Sequence, residues 1–346
     1  EVAFHVGAIY TGSTTNSGSA SSWLWKAFNG VAARTDRPTG DDVDQPWVRV
    51  TRDPVTSSQD NAYVGYDDFT PPADLRVSVS PGISPPNFTY TRRFGYYNGY
   101  VNPGTRLAVD QRNGTVYALY QYATQKNTDG SVHVVYGLNR STDAGKTWTL
   151  NGSSTGTVVA EADSEQPRPK FGGVNALLGG IDSIAVDQSS GDVYVAYGIR
   201  DPNTGYNRIA VARLVGDGSG GLKVVSRRYL PGQYESALPA IAVANGTVGV
   251  LFDRFEGYTA SGYPVFSANL SQSTDHGLTW ANVKVLQFAS AVKDDPNDDR
   301  QRVLGDYQSL RSLNGYFYGS FTANGVQFGR SSSNMDPVFL KAPANA

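Results

Sequence analysis

The stretch Ser141-Thr142-Asp143-Ala144-Gly145-Lys146-Thr147-Trp148 returns later in the chain as Ser273-Thr274-Asp275-His276-Gly277-Leu278-Thr279-Trp280. Six of the eight positions are identical, and both copies fit Ser-Thr-Asp-x-Gly-x-Thr-Trp. So dense a match does not arise by chance in a chain this short. Its chemistry specifies a tight hairpin between two strands. Asp143 and Asp275 can accept backbone N–H bonds across the turn, and Gly145 and Gly277 can take a positive φ. Thr147-Trp148 and Thr279-Trp280 then open the next strand, with the indole under the turn as a plug.

Around these hairpins the chain repeats. A first unit runs Gln45–Val50, Ala62–Asp67, Leu75–Val79 and Phe88–Thr91. The second is Arg106–Asp110, a turn at Asn113-Gly114, Val116–Tyr120 and Val132–Leu138, and then the first motif. The third is Ile184–Asp187, a turn at Ser190-Gly191, Val193–Tyr197 and Arg208–Leu214. Gly216–Gly221 stands where its own motif belongs, as a degenerate copy. The fourth is Ile241–Val243, Asn245-Gly246, Val248–Phe252 and Val265–Leu270, followed by the second motif. The fifth is Leu310–Leu313, Asn314-Gly315, Tyr316–Phe321 and Val326–Gly329. The second to fifth units each run from an apolar strand through an Asn-Gly-type hairpin turn to a second, aromatic-containing strand. A third strand and a weaker outer one complete the four-stranded antiparallel blade of a β-propeller. The spacing of about 50–65 residues suits a repeat architecture.

The expected fold is therefore all-β: a six-bladed propeller, with seven blades as the alternative, forming a single domain over 1–346. The legible blades run from about 44 to 340. Residues 1–45 are expected to close the ring, with a strand in Val2–Tyr10, a loop over Thr11–Ser22 and a packed segment at Trp23-Leu24-Trp25. Closure removes exposed edge strands.

The totals agree. The chain has 346 residues, 39% hydrophobic and 17% charged, with 38 Gly, 18 Pro and 21 Tyr. That is enough apolar material for a large core and too little charge for a disordered chain. The net charge of −2 gives nucleic acid or an anionic membrane nothing to hold. No apolar run reaches the roughly 18 residues of a spanning helix. The absence of cysteine excludes disulfides, thiolate catalysis and Cys-ligated zinc. The chain opens in a strand-like Glu1-Val2-Ala3-Phe4, as a processed form would, and a secreted, extracellular, monomeric protein is expected. Asn87, Asn113, Asn139, Asn151, Asn245 and Asn269 each begin an Asn-x-Ser/Thr sequon.

In a propeller, the residues ahead of each innermost strand surround one mouth of the central channel. Aligned on their first strands, Asp44-Gln45 and Asp306-Tyr307 occupy the same two places, and Gly104, Ile181 and Leu238 share the register of Gln45 and Tyr307. Arg106, Asp182, Glu235 and Arg302 are close by. Tyr90, Phe94, Tyr96, Tyr97 and Tyr100 cluster around Arg92-Arg93 in what reads as the connection to the second unit. Aromatic rings stack on sugar faces and arginines grip carboxylates.

The repeated motif resembles the Asp-box, or BNR repeat, of the sialidase-like propeller superfamily. The likeness covers most of residues 44–330. The segment Tyr307–Gly315 is similar to the one that carries the sialidase nucleophilic tyrosine. Pro239–Gly246 with Val250–Arg254 is similar to the strand pair ending in a carboxylate-binding arginine. The resemblance implies a tyrosine nucleophile at Tyr307 and a clamp for an acid group at Arg254; sialidases are the tyrosine exception among glycosidases. The chain departs from true sialidases. It has no Phe-Arg-Ile-Pro near the N-terminus, and Leu238 stands where the activating glutamate belongs.

Three functions stay open: a glycosidase acting on a terminal, acidic sugar, a non-catalytic lectin or adhesion propeller, and a polysaccharide lyase on uronic-acid glycans. For the first, the catalytic candidates are Tyr307, Asp306, Asp44 and Glu235. The substrate-binding candidates are Arg254, Arg93, Arg106, Gln45, Arg302 and Asp182. No cofactor is expected. A structural Ca²⁺ could use Asp294, Asp295, Asp298 and Asp299. Of three histidines, His133 reads as a strand residue, and His276 sits in the motif turn.

Overall fold

The computed structural model describes residues 2–5, 8–14, 23–27, 32–34, 43–56, 58–68, 74–82, 88–96, 105–128, 132–164, 170–171, 174–175, 182–232, 234–297, 301, 303–305 and 308–345. Their order is set by the hairpin turns. At Asn245-Gly246 and Asn314-Gly315 both turn residues have positive φ, 50° and 83° in one and 50° and 76° in the other. That is the mirror-image two-residue turn whose twist suits antiparallel strands. Asn113-Gly114 and Ser190-Gly191 also turn where expected, with φ of 75° at Gly114 and 84° at Gly191.

Strands β1 (Val2–His5), β2 (Ala8–Thr14), β3 (Trp23–Ala27) and β4 (Ala32–Arg34) form one four-stranded sheet. Strands β5 (Val43–Arg52), β6 (Asp60–Asp68), β7 (Asp74–Pro81) and β8 (Tyr90–Tyr96) form the next. A third holds β9 (Arg106–Asp110), β10 (Thr115–Lys126), β11 (Val132–Ser141) and β12 (Thr157–Ser164). A small pair, β13 (Lys170–Phe171) and β14 (Val174–Asn175), precedes β15 (Asp182–Val186), β16 (Val193–Arg200), β17 (Asn207–Gly216) and β18 (Leu222–Tyr229). Then come β19 (Ser236–Ala244), β20 (Thr247–Tyr258), β21 (Pro264–Ser273) and β22 (Ala281–Ala289). The last sheet has three strands, β23 (Ser309–Leu313), β24 (Tyr316–Ala323) and β25 (Asp336–Pro343).

The expectation of six four-stranded blades, or seven, is corrected. Among the described residues five sheets have the four-stranded antiparallel blade form, so the protein is an all-β, five-bladed propeller type. The N-terminal segment builds a whole sheet, with Thr11–Thr14 in a strand instead of the expected loop. The last unit falls short of a blade because Val326–Gly329 is not a strand. Gly325–Phe328 is a 3-10 helix, started by the Asn324 side chain accepting from the Val326 N–H and ended by Gly329 at φ 76°. These caps satisfy locally the groups a ladder would otherwise use.

The chain divides into two compact units: 1–123, 135–161 and 216–222 in one, and 124–134, 162–215 and 223–346 in the other. In the first, Trp47, Tyr63, Val77, Val79, Leu107, Val116, Ala118 and Trp148 form a buried core. In the second, one core gathers Tyr194, Ile209, Ile241, Val250 and Phe252. Another gathers Leu251, Phe266, Leu270, Phe288, Leu310, Phe317 and Phe321.

The two copies of the repeated motif fold as the same turn. Asp143 Oδ1 accepts from the Thr147 N–H at 2.9 Å and its Oδ2 from the Thr147 hydroxyl at 2.7 Å. The equivalent distances at Asp275 and Thr279 are 2.8 and 2.5 Å. Ser141 and Ser273 accept from the N–H of Gly145 and Gly277, both at 2.8 Å. Each indole N–H returns to the glycine carbonyl, at 3.2 Å for Trp148 and 3.1 Å for Trp280. Gly145 has φ 81°, and a Cβ there would meet Val79 Cγ2 at 2.5 Å, so glycine is needed twice over. The degenerate copy keeps only the acid: Asp217 Oδ1 accepts from the N–H groups of Ser219 and Gly221, each at 2.8 Å.

Candidate functional site

The innermost strands of two sheets begin with the same irregularity. In β5 the register steps from Asp44 opposite Asp67 to Trp47 opposite Gly65, leaving Gln45-Pro46 against Tyr66 alone. In β19 it steps from Ala237 opposite Asp253 to Ala240 opposite Leu251, leaving Leu238-Pro239 against Phe252. Proline has no N–H to donate, so the ladder cannot continue through it and the strand bulges. Leu238 is held at φ 57°, a conformation costly for a side chain of its size. Bulges of this kind re-aim neighbouring side chains, and here they lie where the candidate residues were expected.

The rim at which the inner strands start is best defined in the second unit. Glu235 directly precedes β19, with φ 42°. Its carbonyl accepts from the Phe255 N–H at 3.0 Å, and its Oε2 from Asn207 Nδ2 at 3.3 Å. Arg254 lies in β20 opposite Ser236. Beside Glu235 and Asn207, the exposed rings of Tyr234 and Tyr206 meet edge to face, centroids 6.0 Å apart. Two carbonyl or carboxylate acceptors, an arginine and two solvent-facing aromatics thus share one rim.

Arg254 is already engaged. Its Nε donates to Glu256 Oε1 at 3.0 Å, its Nη2 to Oε1 and Oε2 at 2.6 and 2.7 Å, and its Nη1 to the Gly232 carbonyl at 2.9 Å. Glu256 also accepts from the Ser267 hydroxyl at 2.5 Å and pairs with Lys284 Nζ at 3.2 Å. Burial acts to raise the Glu256 carboxyl, but the bonds from Ser267, Arg254 and Lys284 outweigh it and hold the group below its ordinary value. A ligand acid reaches Arg254 only by exchanging with Glu256.

The other binding candidates in the first unit are similarly tied. Arg93 is exposed on β8, and its Nε pairs with Asp74 Oδ2 at 2.9 Å, while the buried Arg76 takes Oδ1 at 2.5 Å. Arg106 opens β9 and is buried, its guanidinium 4.8 Å from the centroid of Trp47. The residues expected in the connection after the first unit are instead strand β8 as far as Tyr96. Phe94 packs edge-on to Trp148 at 5.1 Å, and Arg92 donates to the Ser154 carbonyl at 2.7 Å. Asp44 and Gln45 lie at the β5 bulge, and Asp182 is the first residue of β15. Arg302, Asp306 and Tyr307 lie outside the described residues, as do Gly104, Ile181, Tyr97, Tyr100, Asp298 and Asp299. Of the described candidates, Glu235 and Arg254 share one strand start, through the Glu235 carbonyl that accepts from the Phe255 N–H beside Arg254, while their side chains bond elsewhere, to Asn207 and to Glu256.

The sequence reading missed the acid next to Arg254. Asp253 is 1% exposed, opposite Ala237 and Ala268, and its Oδ1 has no hydrogen-bond partner among the described residues. Burial pushes its carboxyl well above the ordinary value. Asp67 holds the matching register place in β6, opposite Asp44 and beside the bulge, as Asp253 is opposite Ala237. A signal was available: an aromatic-Asp pair, Tyr66-Asp67 and Phe252-Asp253, follows an x-Pro pair in each preceding strand.

Two histidines have acquired partners. His133 Nδ1 lies 2.9 Å from Asp163 Oδ1, and His276 Nδ1 lies 3.3 Å from the Tyr194 hydroxyl. Among the described residues no group of three or more His, Asp or Glu is placed to hold a metal ion. Asp295 caps its own turn, accepting from the Asn297 N–H at 2.8 Å. No helix among the described residues is long and apolar enough to cross a membrane.

No family model and no curated protein matches the chain. Solved structures with a similar course include the β-propeller domain of the Trilobed protease from Pyrococcus furiosus, at 8% identity and a TM-score of 0.43, covering 100% of this chain and 82% of that one. The phage phi92 endosialidase matches at 12% identity and TM-score 0.41, covering 99% of this chain and 54% of that one. An alpha-L-arabinofuranosidase from Lactobacillus brevis matches at 10% identity and TM-score 0.41, covering 87% and 95%. Likenesses at this level carry no argument about ligand or reaction.

Proposed function

We propose that the protein is a secreted, carbohydrate-active member of the sialidase-like superfamily that binds an acidic sugar at the inner-strand rim and hydrolyses its terminal glycosidic bond. The observation that carries this reading is the cluster of Glu235, Arg254 and the exposed Tyr206–Tyr234 pair on one rim. Aromatic faces suit sugar C–H surfaces, and a guanidinium suits a carboxylate. In this reading Tyr307 is the nucleophile and Asp306 and Glu235 are the acids that serve it. Arg254, with Arg302 and Asp182 of the same unit, holds the substrate. A tyrosine fits an anionic sugar because, while neutral, it does not repel the ligand charge.

A lectin is the second reading, favoured by the full occupation of the Arg254 guanidinium by Glu256 and Gly232. The deciding experiment is a panel of aryl glycosides and acidic glycans assayed with wild type and Tyr307→Phe. The hydrolase reading expects turnover in wild type and a loss of at least about a hundredfold in the variant. Equal turnover removes Tyr307 as nucleophile. Saturable glycan binding with no turnover on any substrate replaces the enzyme with the lectin, and a product with new ultraviolet absorbance replaces it with the lyase.

A further inference from the structure

A second cleft lies away from Glu235 and Arg254, neither of which lines it. It is enclosed by the turn between β20 and β21, the end of β22, and the segment carrying the 3-10 helix, and its volume is about 560 Å³. That is within the range of small-molecule sites. Phe288 and Tyr263 supply its aromatic surface, and Thr259, Ser261, Gln287 and Gln327 supply polar groups.

Both walls are held by hydrogen bonds. In the turn, Thr259 donates its N–H to the Tyr263 carbonyl at 2.8 Å, and the Tyr263 N–H returns to Thr259 Oγ1 at 3.0 Å. Opposite, Gln327 Nε2 donates to the Gln287 carbonyl at 2.8 Å, joining the 3-10 helix to β22. That bond uses the Gln327 amide as donor and leaves its Oε1 to accept. The walls are therefore set before a ligand arrives, which lowers the entropy cost of binding.

None of the lining side chains is charged. Lys293 lies over the Tyr263 ring, its Nζ 5.3 Å from the centroid, but is not part of the lining. An anionic ligand would lose its hydration here with no countercharge in the wall. Hydroxyls and primary amides beside aromatic rings match a molecule with many hydroxyls and apolar C–H faces.

We propose that this cleft binds an uncharged saccharide of one to three residues, as a site separate from the rim. The proposal does not depend on the rim being catalytic, because its residues and its preference for neutral ligand differ.

The test is calorimetric titration with maltotriose, cellotriose, xylotriose and galactose, with sialyllactose as the charged comparison. Two variants probe the cleft, Gln327→Ala at the polar wall and Ser333→Trp to fill the opening. The expected result is saturable binding of a neutral sugar, weakened about tenfold by Gln327→Ala and abolished by Ser333→Trp. Val55→Ala, at an exposed position that does not line the cleft, is expected to leave it unchanged. Circular dichroism and the melting temperature establish that each variant is folded, and Ser261→Phe replaces Ser333→Trp if the latter is not. Failure of every neutral sugar to saturate overturns the proposal. So does neutral binding that survives a folded blocking variant, or tighter binding of sialyllactose at this cleft.

Discussion

Asp253→Asn separates a buried, protonated carboxylic acid from an ordinary one by its pH dependence alone. Asp253 is 1% exposed, and strand alternation puts it on the β20 face that carries Leu251 and Phe255. Burial raises its carboxyl well above the usual range, with no opposing hydrogen bond. The native state therefore keeps a proton that the unfolded chain releases above pH ~4. Where the native state binds more protons than the unfolded one, stability falls as pH rises. The fall is about 1.4 kcal/mol per pH unit, beginning at the unfolded value and ending at the raised native one. Asparagine carries no such proton. Its amide adds a pH-independent offset of about 1–3 kcal/mol if left unbonded, so the slope and not the intercept is diagnostic. Urea unfolding followed by tryptophan fluorescence, at half-unit steps from pH 4.5 to 8, gives the stability difference between variant and wild type. That difference is expected to move in favour of Asp253→Asn by the stated slope. A difference that is flat across the range, or that moves toward wild type, refutes the argument.

Trp148→Ala removes a buried plug from the first-unit core and is expected to cost about 3–5 kcal/mol, whereas the more exposed Trp280 should cost about 1–3 kcal/mol; denaturant melts of the two variants check the order. Glu256→Gln weakens the clamp on Arg254 and is expected to tighten binding of a monosaccharide acid about tenfold by calorimetry. No change would mean that Arg254 does not meet the ligand.

The hairpins were legible because their determinants are local. Asn245-Gly246 and Asn314-Gly315 call for a two-residue turn whatever the rest of the chain does, and the turns formed there. Ser-Thr-Asp-x-Gly-x-Thr-Trp carried its own hydrogen-bond pattern within eight residues, and both copies satisfied it. Val326–Gly329 misled because its apolar residues fit a strand, while Asn324 and Gly329, the two caps, decided for a helix. The candidate rim rested on weaker signals: Glu235 was named for lying close in sequence to an aligned strand start and Arg254 for a resemblance to sialidases. Neither signal showed that Glu256, two residues on and on the same strand face, would occupy the arginine.

Composition, turn chemistry and the repeated motif were enough by themselves to determine an all-β chain of antiparallel blade-like repeats. Each of these acts over a few residues and needs no knowledge of distant neighbours. Tertiary structure alone decided how many sheets reached four strands, which arginines were already paired, and that Asp253 is sealed among apolar side chains. Those outcomes depend on pairings across tens of residues and on burial, for which a linear pattern of residues holds no local signal.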